Sequence, residues 1–167
     1  MSKVIAHKVM IMDAVERLAM EINKHFADKD PILLCVLNGS FMFFSDLVRR
    51  LTIEHQVDFV KVSSYGNAET PGTITWLLKP TLDIKGRYII VVDDILDTGK
   101  TAKFIESSLQ MNGAKQVWIC VLLSKIANRK VSVFCPLVGL IIDDHFVYGY
   151  GLDLEGRERH LVSIHAT

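Results

Sequence analysis

Residues 88–102 read YIIVVDDILDTGKTA, and this stretch decides the kind of fold that the rest of the chain completes. Its beginning is an unbroken apolar run, typical of a β-strand that is buried on both faces. Residues 101–112 then carry apolar side chains at helical spacing, and the pattern stops at Gly113. A buried strand followed directly by a helix indicates one unit of a parallel sheet. The acidic and glycine-containing loop between them therefore lies at the carboxyl edge of that sheet.

The same alternation of helices and strands runs along most of the chain. A capping box at Asp13 and Glu16 predicts a helix whose apolar residues continue to Phe26, and a second helix is expected from Ser40 to about Leu51. Further apolar runs predict buried strands, and a polar stretch predicts a long loop on a hairpin. The strands are residues 32–37, 57–62, 117–123 and 138–142, and the loop is residues 63–75. We therefore expect an α/β fold with a mainly parallel sheet flanked by helices.

Length and composition exclude several classes of protein. The 167 residues suit one domain with a single core. Nineteen basic side chains balance nineteen acidic ones, which argues against nucleic acid as a partner. No apolar stretch is long enough for a signal peptide or a membrane span, so we expect a cytoplasmic protein without a membrane partner. The three cysteines have no C-x-x-C spacing and are expected to be reduced.

The loop after the strand of residues 88–92 suits a phosphate group. A helix N-terminus at this edge offers free backbone N–H groups and the positive end of a dipole. Gly99 allows close backbone approach, and the hydroxyls of Thr98 and Thr101 can donate hydrogen bonds to phosphate oxygens. The adjacent carboxylates of Asp93 and Asp94 would repel a bare triphosphate, but they can bind ribose hydroxyls or a hydrated magnesium ion. The loop therefore favours a sugar phosphate.

The segment from Val91 to Thr101 resembles the phosphoribosyl-diphosphate-binding motif of the type I phosphoribosyltransferases, in which two acidic and two apolar residues precede D-T-G-K-T. Residues 144–159 resemble the base-binding and metal-binding signature of the hypoxanthine phosphoribosyltransferases. Residues 37–40 are similar to the diphosphate loop of that family, residues 63–66 to its flexible lid, and Lys125 to its purine-binding lysine. The chain departs from the family at two positions. Asn38 stands where many members have Lys or Arg, and Asp93 where they often have Glu.

The resemblance implies transfer of a 5-phosphoribosyl group from 5-phosphoribosyl 1-diphosphate to hypoxanthine or guanine, with Mg²⁺ as cofactor. The implied site residues divide by role. The general base is Asp97. The phosphoribosyl group would be bound by Asp93, Asp94, Asp97, Thr98, Gly99, Lys100 and Thr101, and the diphosphate by Leu37, Asn38, Gly39 and Arg159. The purine would be bound by Lys125, Phe146, Val147 and Asp153, the metal by Asp93, Asp94 and Asp153, and the lid would be Ser63, Ser64, Tyr65 and Gly66.

The resemblance also implies an arrangement of the whole chain. Residues 1–167 would form one phosphoribosyltransferase domain, with a small hood contributed by the N-terminal segment and roughly residues 143–167. A homodimer or homotetramer is expected, and the apolar residues 41–44 are a predicted exposed contact for it.

Two other functional classes compete with this interpretation. One is a ligand-sensing regulator on the same fold, and strongly salt-dependent binding of RNA or DNA without turnover would favour it. The other is a nucleotide-hydrolysing P-loop protein, whose pattern G-x-x-x-x-G-K-[ST] requires glycine at position 94, where this chain has Asp. Release of inorganic phosphate from ATP would favour that class.

Overall fold

The computed structural model describes residues 3–65 and 73–167 and gives them the following helices and strands. In chain order they are β1 (Lys3–Ala6), α1 (Lys8–His25), β2 (Ile32–Val36), α2 (Phe41–Val48), β3 (Gln56–Tyr65), β4 (Thr73–Leu78), β5 (Tyr88–Leu96), α3 (Lys100–Met111), β6 (Gln116–Lys125), β7 (Leu137–Ile142), β8 (Val147–Tyr148) and β9 (Ile164–Ala166).

Six of these strands form the central sheet, in the order β4-β3-β2-β5-β6-β7. Every neighbouring pair from β3 to β7 is parallel, and β4 pairs antiparallel with β3 at one edge. The predicted α/β fold with a mainly parallel sheet is therefore confirmed. Since parallel strands point the same way, the segments that follow β2, β5, β6 and β7 all lie at one edge of the sheet.

The sheet is covered on both faces, which explains why its central strands read as unbroken apolar runs. All five residues of β2 are buried. Leu33 and Cys35 belong to a core cluster that also contains residues of α1 and α2. Ile32 and Leu34 point to the opposite face and pack in a second cluster with residues of α3. With both faces covered, polar side chains are excluded from both sets of alternating positions.

A second, three-stranded sheet is built from the two ends of the chain. Its order is β1-β9-β8, and both pairings are antiparallel. Ala6, Val147 and Ile164 join the core cluster that contains α1 and α2. The small sheet is thus connected to the main one through a shared apolar core.

The first helix starts earlier than predicted. The prediction that Asp13 and Glu16 form a capping box at its N-terminus is wrong. α1 begins at Lys8 with His7 as its N-cap, and Asp13 is an exposed residue inside the helix. The buried stripe already includes Ile11, one helical turn before Val15, so packing extends the helix past the local capping signal. None of the described helices is long and apolar enough to cross a membrane.

Two other expectations about local structure also need correction. The apolar residues 41–44 are not an exposed segment, because Phe43 and Phe44 are buried in the core on the inner face of α2. The polar stretch that begins at residue 63 is not a loop from its start, since β3 continues to Tyr65 and pairs there with β4. In both cases a contact with another element, α2 with the sheet and β3 with β4, decides the structure, and local composition gave no sign of it.

The carboxylate of Asp58 fixes the connection between β4 and β5 to β3. Asp58 is buried, and its Oδ2 accepts hydrogen bonds from the backbone N–H of Thr81 at 2.6 Å and of Leu82 at 3.0 Å, and from the Thr81 hydroxyl at 3.1 Å. Its Oδ1 accepts from the N–H of Phe59 at 2.8 Å. Burial acts to raise the pKa of Asp58, but these hydrogen bonds outweigh it and hold the pKa below the ordinary value.

Asp58→Asn is expected to lower the free energy of unfolding at pH 7 by about 1–3 kcal/mol, because an amide replaces a charged acceptor of several hydrogen bonds. A lowered native pKa means that the stabilisation is fully present above the unfolded-state pKa and is lost as pH falls through the native value. The deficit relative to wild type should therefore shrink from about pH 5 towards pH 3. Urea unfolding across this range measures it. Asp28→Asn, at an exposed position, is the control, and a deficit independent of pH would contradict the assignment.

Candidate active site

The candidate site lies along the carboxyl edge of the central sheet. Residues 37–39 follow β2, residues 97–99 follow β5, and Lys125 ends β6. β2, β5 and β6 are consecutive in the sheet, so these three segments lie side by side. The order across the edge is the predicted diphosphate loop, the acidic loop and the predicted purine-binding lysine.

One cleft at this edge gathers most of the residues predicted for the phosphoribosyl group. It is lined by Leu37, Asp93, Asp94, Asp97, Thr98, Gly99 and Thr101, together with apolar residues of β2, β3 and β5. Lys100 is exposed and is not among the residues that line the cleft, and its backbone N–H lies 3.4 Å from the hydroxyl oxygen of Thr98. Asn38 is also exposed, next to Leu37 at the cleft.

A second pocket adjoins this cleft and contains the residues predicted for the purine. The two cavities share Asp94, Ile95 and Asp97. The second pocket adds Lys125, Phe146, Val147, Leu152 and Asp153. The ring of Phe146 is 54% exposed at the pocket, which rules out a simple core role for it. The structure therefore brings two predicted groups of residues together, with Asp97 at the boundary between them.

The backbone of the acidic loop has the form of a phosphate cradle. Gly99 is the N-cap of α3 and has a left-handed φ of 85°, which side chains other than glycine adopt only with strain. A Cβ atom there would also lie 3.0 Å from the carbonyl oxygen of Val131. The first N–H groups of α3 have no acceptor within the helix and are available to a ligand. The hydroxyls of Thr98 and Thr101 line the same cleft.

Asp93 and Asp94 are adjacent, half-buried carboxylates near the end of β5, and they repel each other. Burial and the neighbouring Asp94 raise the pKa of Asp93 well above its usual value. Burial also raises the pKa of Asp94, while the charge of Arg159 acts in the opposite direction. Gly39 approaches so closely that a Cβ atom there would overlap the carboxylate of Asp94. The predicted diphosphate loop and the acidic pair are therefore in close contact, and a larger residue at position 39 would require the Asp94 side chain to move.

Asp97 and Lys125 face each other where the cleft and the pocket meet. The Lys125 ammonium lies 3.8 Å from Oδ2 of Asp97 and 3.3 Å from Oδ1 of Asp144. Hydrogen bonds from Asn128, at 2.7 Å, and from Lys125 hold the pKa of Asp144 below its usual range. The other oxygen of Asp97, Oδ1, is buried and has no hydrogen-bond partner among the described residues. The Asp97 side chain is nevertheless 42% exposed, so Oδ2, which faces Lys125, is the carboxylate oxygen that the cleft and the pocket can reach.

Arg159 is fixed by contacts within the C-terminal segment. Its guanidinium donates to the carbonyl oxygen of Gly151 at 2.6 Å and pairs with Oδ1 of Asp153 at 2.9 Å. The other carboxylate oxygen of Asp153 accepts the N–H of Gly156 at 2.8 Å. Arg159 is therefore held in place as a fixed positive charge beside Asp153.

The predicted lid residues lie only partly in the described structure. Ser63, Ser64 and Tyr65 end strand β3 and pair with β4, whereas Gly66 lies outside the described residues. Within the ranges 3–65 and 73–167, no three His, Cys, Asp or Glu side chains are grouped as a ready metal site. The predicted metal residues Asp94 and Asp153 line the same pocket, and Asp93 lines the adjoining cleft.

Sequence reasoning missed three residues at this edge. Lys61 of β3 donates to the side-chain oxygen of Asn38 at 3.3 Å and so brings a positive charge to the diphosphate loop. Asp144 pairs with Lys125, and Arg129 makes hydrogen bonds beneath the acidic loop. The position of Asp144 after β7 was a usable signal, because the segments after parallel strands share an edge. Lys61 and Arg129 lie in segments without a local pattern that points to the site.

The model of the phosphoribosyl transferase domain family matches residues 3–155 of the chain. The hypoxanthine phosphoribosyltransferase of Escherichia coli K12 is 37% identical over 162 residues, which cover 92% of this chain and 91% of that protein. The hypoxanthine-guanine-xanthine phosphoribosyltransferase of Tritrichomonas foetus is 30% identical, with coverage of 96% and 88% respectively.

A solved structure gives the same result. The crystal structure of a hypoxanthine-guanine phosphoribosyltransferase from Bacillus anthracis, with a HEPES molecule in its active site, superposes with a TM-score of 0.94. It is 34% identical, and the match covers 99% of this chain and 98% of that one. Similarity in sequence and in fold thus extends over nearly the full length. The chain therefore belongs to the phosphoribosyltransferase domain family, in the group of the hypoxanthine phosphoribosyltransferases.

Proposed function

We propose that this chain transfers the 5-phosphoribosyl group of 5-phosphoribosyl 1-diphosphate to hypoxanthine or guanine, forming IMP or GMP and diphosphate in purine salvage. Besides membership of the family, one observation in this structure supports the proposal. The cleft with the phosphate cradle and the pocket with Lys125 and Phe146 share the carboxylates of Asp94 and Asp97. A donor in the cleft and a base in the pocket would therefore meet beside Asp97.

The reaction needs two bond changes and one proton transfer. The bond between ribose C1 and the diphosphate oxygen breaks, and a bond forms between C1 and a purine ring nitrogen that attacks from the opposite face. The proton of that nitrogen passes to the carboxylate of Asp97, whose side chain is 42% exposed with Oδ2 facing Lys125. Asp93 and Asp94 would bind the ribose hydroxyls and hold C1 in line for attack. Asp97 is thus the general base of this proposal.

The purine would be recognised by its 6-oxo group and its ring face. The Lys125 side chain is 9% exposed at the pocket and ends in an ammonium group that can donate to a 6-oxo group. The exposed ring of Phe146 offers a face for stacking, and the backbone of Val147 can read the edge of the base. Adenine carries an amino group at position 6, which would meet the ammonium donor to donor and could not accept its hydrogen bond. A 6-oxopurine is therefore the favoured substrate class.

The residues present fit the Mg²⁺ ion that is proposed as cofactor. Asp93, Asp94 and Asp153 supply carboxylate oxygens, which Mg²⁺ prefers, and the ion usually keeps waters and substrate phosphates as its other ligands. Mutual repulsion and burial raise the pKa of Asp93, and a cation at this position would offset that repulsion. When bound, Mg²⁺ would neutralise charge on the departing diphosphate.

The remaining groups of the site would act on the donor. The backbone N–H groups of Asn38 and Gly39 and the fixed charge of Arg159 would hold the diphosphate as it leaves. The N–H of Leu37 donates to the carbonyl oxygen of Val60, so Leu37 would contribute through its position in the loop. Lys61 adds a positive charge beside Asn38, where the loop itself has none. The three-stranded sheet carries Val147 of the base pocket, and we infer that it acts as a hood over the base. Residues 63–66 would close over the donor as a lid.

We propose further that two copies of the chain pair through an exposed apolar face of Phe41, Val57 and Phe59. These side chains are 38%, 44% and 43% exposed, and Phe59 contacts the inward-facing Phe44 with ring centroids 5.8 Å apart. Light scattering should then give a dimer or tetramer for the wild type and a smaller species for Phe59→Glu. Met111→Glu, on α3 at the opposite face of the sheet, should leave the mass unchanged. A monomeric wild type would contradict the proposal.

The direct test of the proposed function is product formation. The purified chain is incubated with 5-phosphoribosyl 1-diphosphate, Mg²⁺ and one base at a time, and the nucleotide product is separated by chromatography. IMP or GMP should form, and a chelator should stop the reaction. If hypoxanthine, guanine and xanthine all stay unreacted under these conditions, the proposed function is wrong.

A further inference from the structure

The connection between β6 and β7 passes directly beneath the loop that carries Asp97. We call residues 126–131 of this connection the backing loop. It follows Lys125, and its residue Arg129 is half-buried under the ends of β5 and β6. In the proposed reaction neither Arg129 nor its neighbours contacts a substrate, so their contacts need a separate explanation.

The guanidinium of Arg129 joins the ends of the two central strands. Its Nε donates to the carbonyl oxygen of Asp97 at 3.1 Å, and its Nη2 lies 3.4 Å from that of Leu96. The same Nη2 lies 3.0 Å from the hydroxyl of Ser124 and 3.4 Å from the carbonyl oxygen of Lys125. One planar group thus contacts the backbone of both residues that face each other across the site, Asp97 and Lys125. A guanidinium can do this because its donors are fixed in one plane.

The backbone of the backing loop supports the phosphate cradle in the same way. The carbonyl oxygen of Thr98 accepts the N–H of Lys130 at 2.9 Å and that of Val131 at 3.3 Å. The Cα of Gly99 faces this loop so closely that an added Cβ would lie 3.1 Å from Cδ of Arg129. Contacts with the backing loop therefore hold residues 96–99 from below over their whole length.

From these contacts we infer that Arg129 is a positioning residue, which sets the separation between the general base Asp97 and the purine-binding Lys125 and fixes the cradle beside them. The inference rests on the proposed function for the roles of Asp97 and Lys125. The two side chains stand on neighbouring strand ends, 3.8 Å apart at their closest charged atoms. A small change in that separation moves the proton acceptor relative to the base, and displacement by about 1 Å can cost 10²-fold in rate.

The central test is Arg129→Met, which keeps an apolar stem of similar length and removes the donors. kcat should fall roughly 10–100-fold, with a smaller rise in the KM for the donor, because the reacting groups are misplaced more than the donor is released. Arg129→Lys should also lose activity, since one ammonium cannot reproduce the planar fork. If Arg129→Met does not fold, the kcat of Arg129→Lys decides whether Arg129 positions Asp97 and Lys125.

A matched control separates positioning from general stability. Arg87 makes similar bonds at the amino end of β5, to the carbonyl oxygen of Asp30 at 2.7 Å, to its carboxylate at 3.1 Å and to the side chain of Gln56 at 2.9 Å. Arg87→Met should lower the melting temperature as Arg129→Met does, with kcat unchanged well below that temperature. A shared loss of kcat in both variants would mean that Arg129 acts through stability alone.

Amide hydrogen exchange gives a readout that needs no substrate. In Arg129→Met the amides of residues 96–101 and 126–131 should exchange faster than in wild type, whereas Arg87→Met should leave them unchanged. If the wild type transfers no phosphoribosyl group, the proposed function fails, but the exchange result still decides the positioning role. Arg129→Met and Arg129→Lys with wild-type kcat and wild-type exchange in these segments would overturn the inference.

Discussion

Asp97→Asn should lower kcat by roughly 10²–10⁴-fold, because the amide cannot take the proton of the attacking purine nitrogen. The KM for the donor should change little. Thr98, Gly99 and Thr101, which form the cradle, do not depend on the charge of Asp97, and the acidic pair at residues 93 and 94 stays intact. Single-turnover rates and donor binding, measured separately, distinguish the two effects.

The control for this substitution is Asp83→Asn, an exposed carboxylate outside the two cavities that share Asp97. It removes one negative charge at a distance from the site and should leave kcat at the wild-type value. Unchanged turnover in Asp97→Asn would remove Asp97 from the role of general base. Equal losses in the donor KM and in kcat would instead indicate that Asp97 mainly binds the ribose.

The second large expected effect is on the preference of the enzyme for hypoxanthine over adenine. For the wild type, kcat/KM with hypoxanthine should exceed that with adenine by a factor on the order of 10⁴, because a site built around a hydrogen bond strongly rejects a base that cannot form it. Lys125→Met removes the donor and keeps the apolar stem. It should reduce kcat/KM for hypoxanthine far more than for adenine, so the ratio between the two bases should collapse.

The ratio is the informative quantity, because Lys125 also lies 3.8 Å from Asp97 and its loss can slow the chemistry with every base. Such an effect lowers both rates together and leaves the ratio unchanged. Lys24→Met, at an exposed position of α1, is the matched control and should alter neither rate. A wild type that uses adenine as well as hypoxanthine would overturn the assignment of Lys125 to the 6-oxo group.

The strands and the location of the site were predictable because their signals are local. A strand covered on both faces must be apolar at every position, as in β2 and in residues 89–92, and an acidic residue directly after such a run marks the edge of the sheet. The phosphate cradle was equally visible, since it depends on a glycine and hydroxyl residues that are consecutive in sequence. These features need no knowledge of any distant contact.

The errors arose where packing or strand pairing overrides the local pattern. Composition suggested a loop from residue 63, yet pairing with β4 extends β3 to Tyr65. The residues 41–44 look like an exposed apolar contact, but half of the segment faces the core because α2 packs against the sheet. A capping box seemed to start the first helix, whereas a buried face that includes Ile11 extends the helix to Lys8.

The sequence by itself determined where the buried strands, the acidic loop and the cradle lie along the chain. Burial on two faces and backbone geometry act on neighbouring residues, so these features are visible locally. Only the tertiary structure decided that Asp97 and Lys125 face each other and that Arg129 braces both from below. Those contacts depend on which strands become neighbours in the sheet. That order is set by packing of the whole chain, and no short stretch of residues contains it.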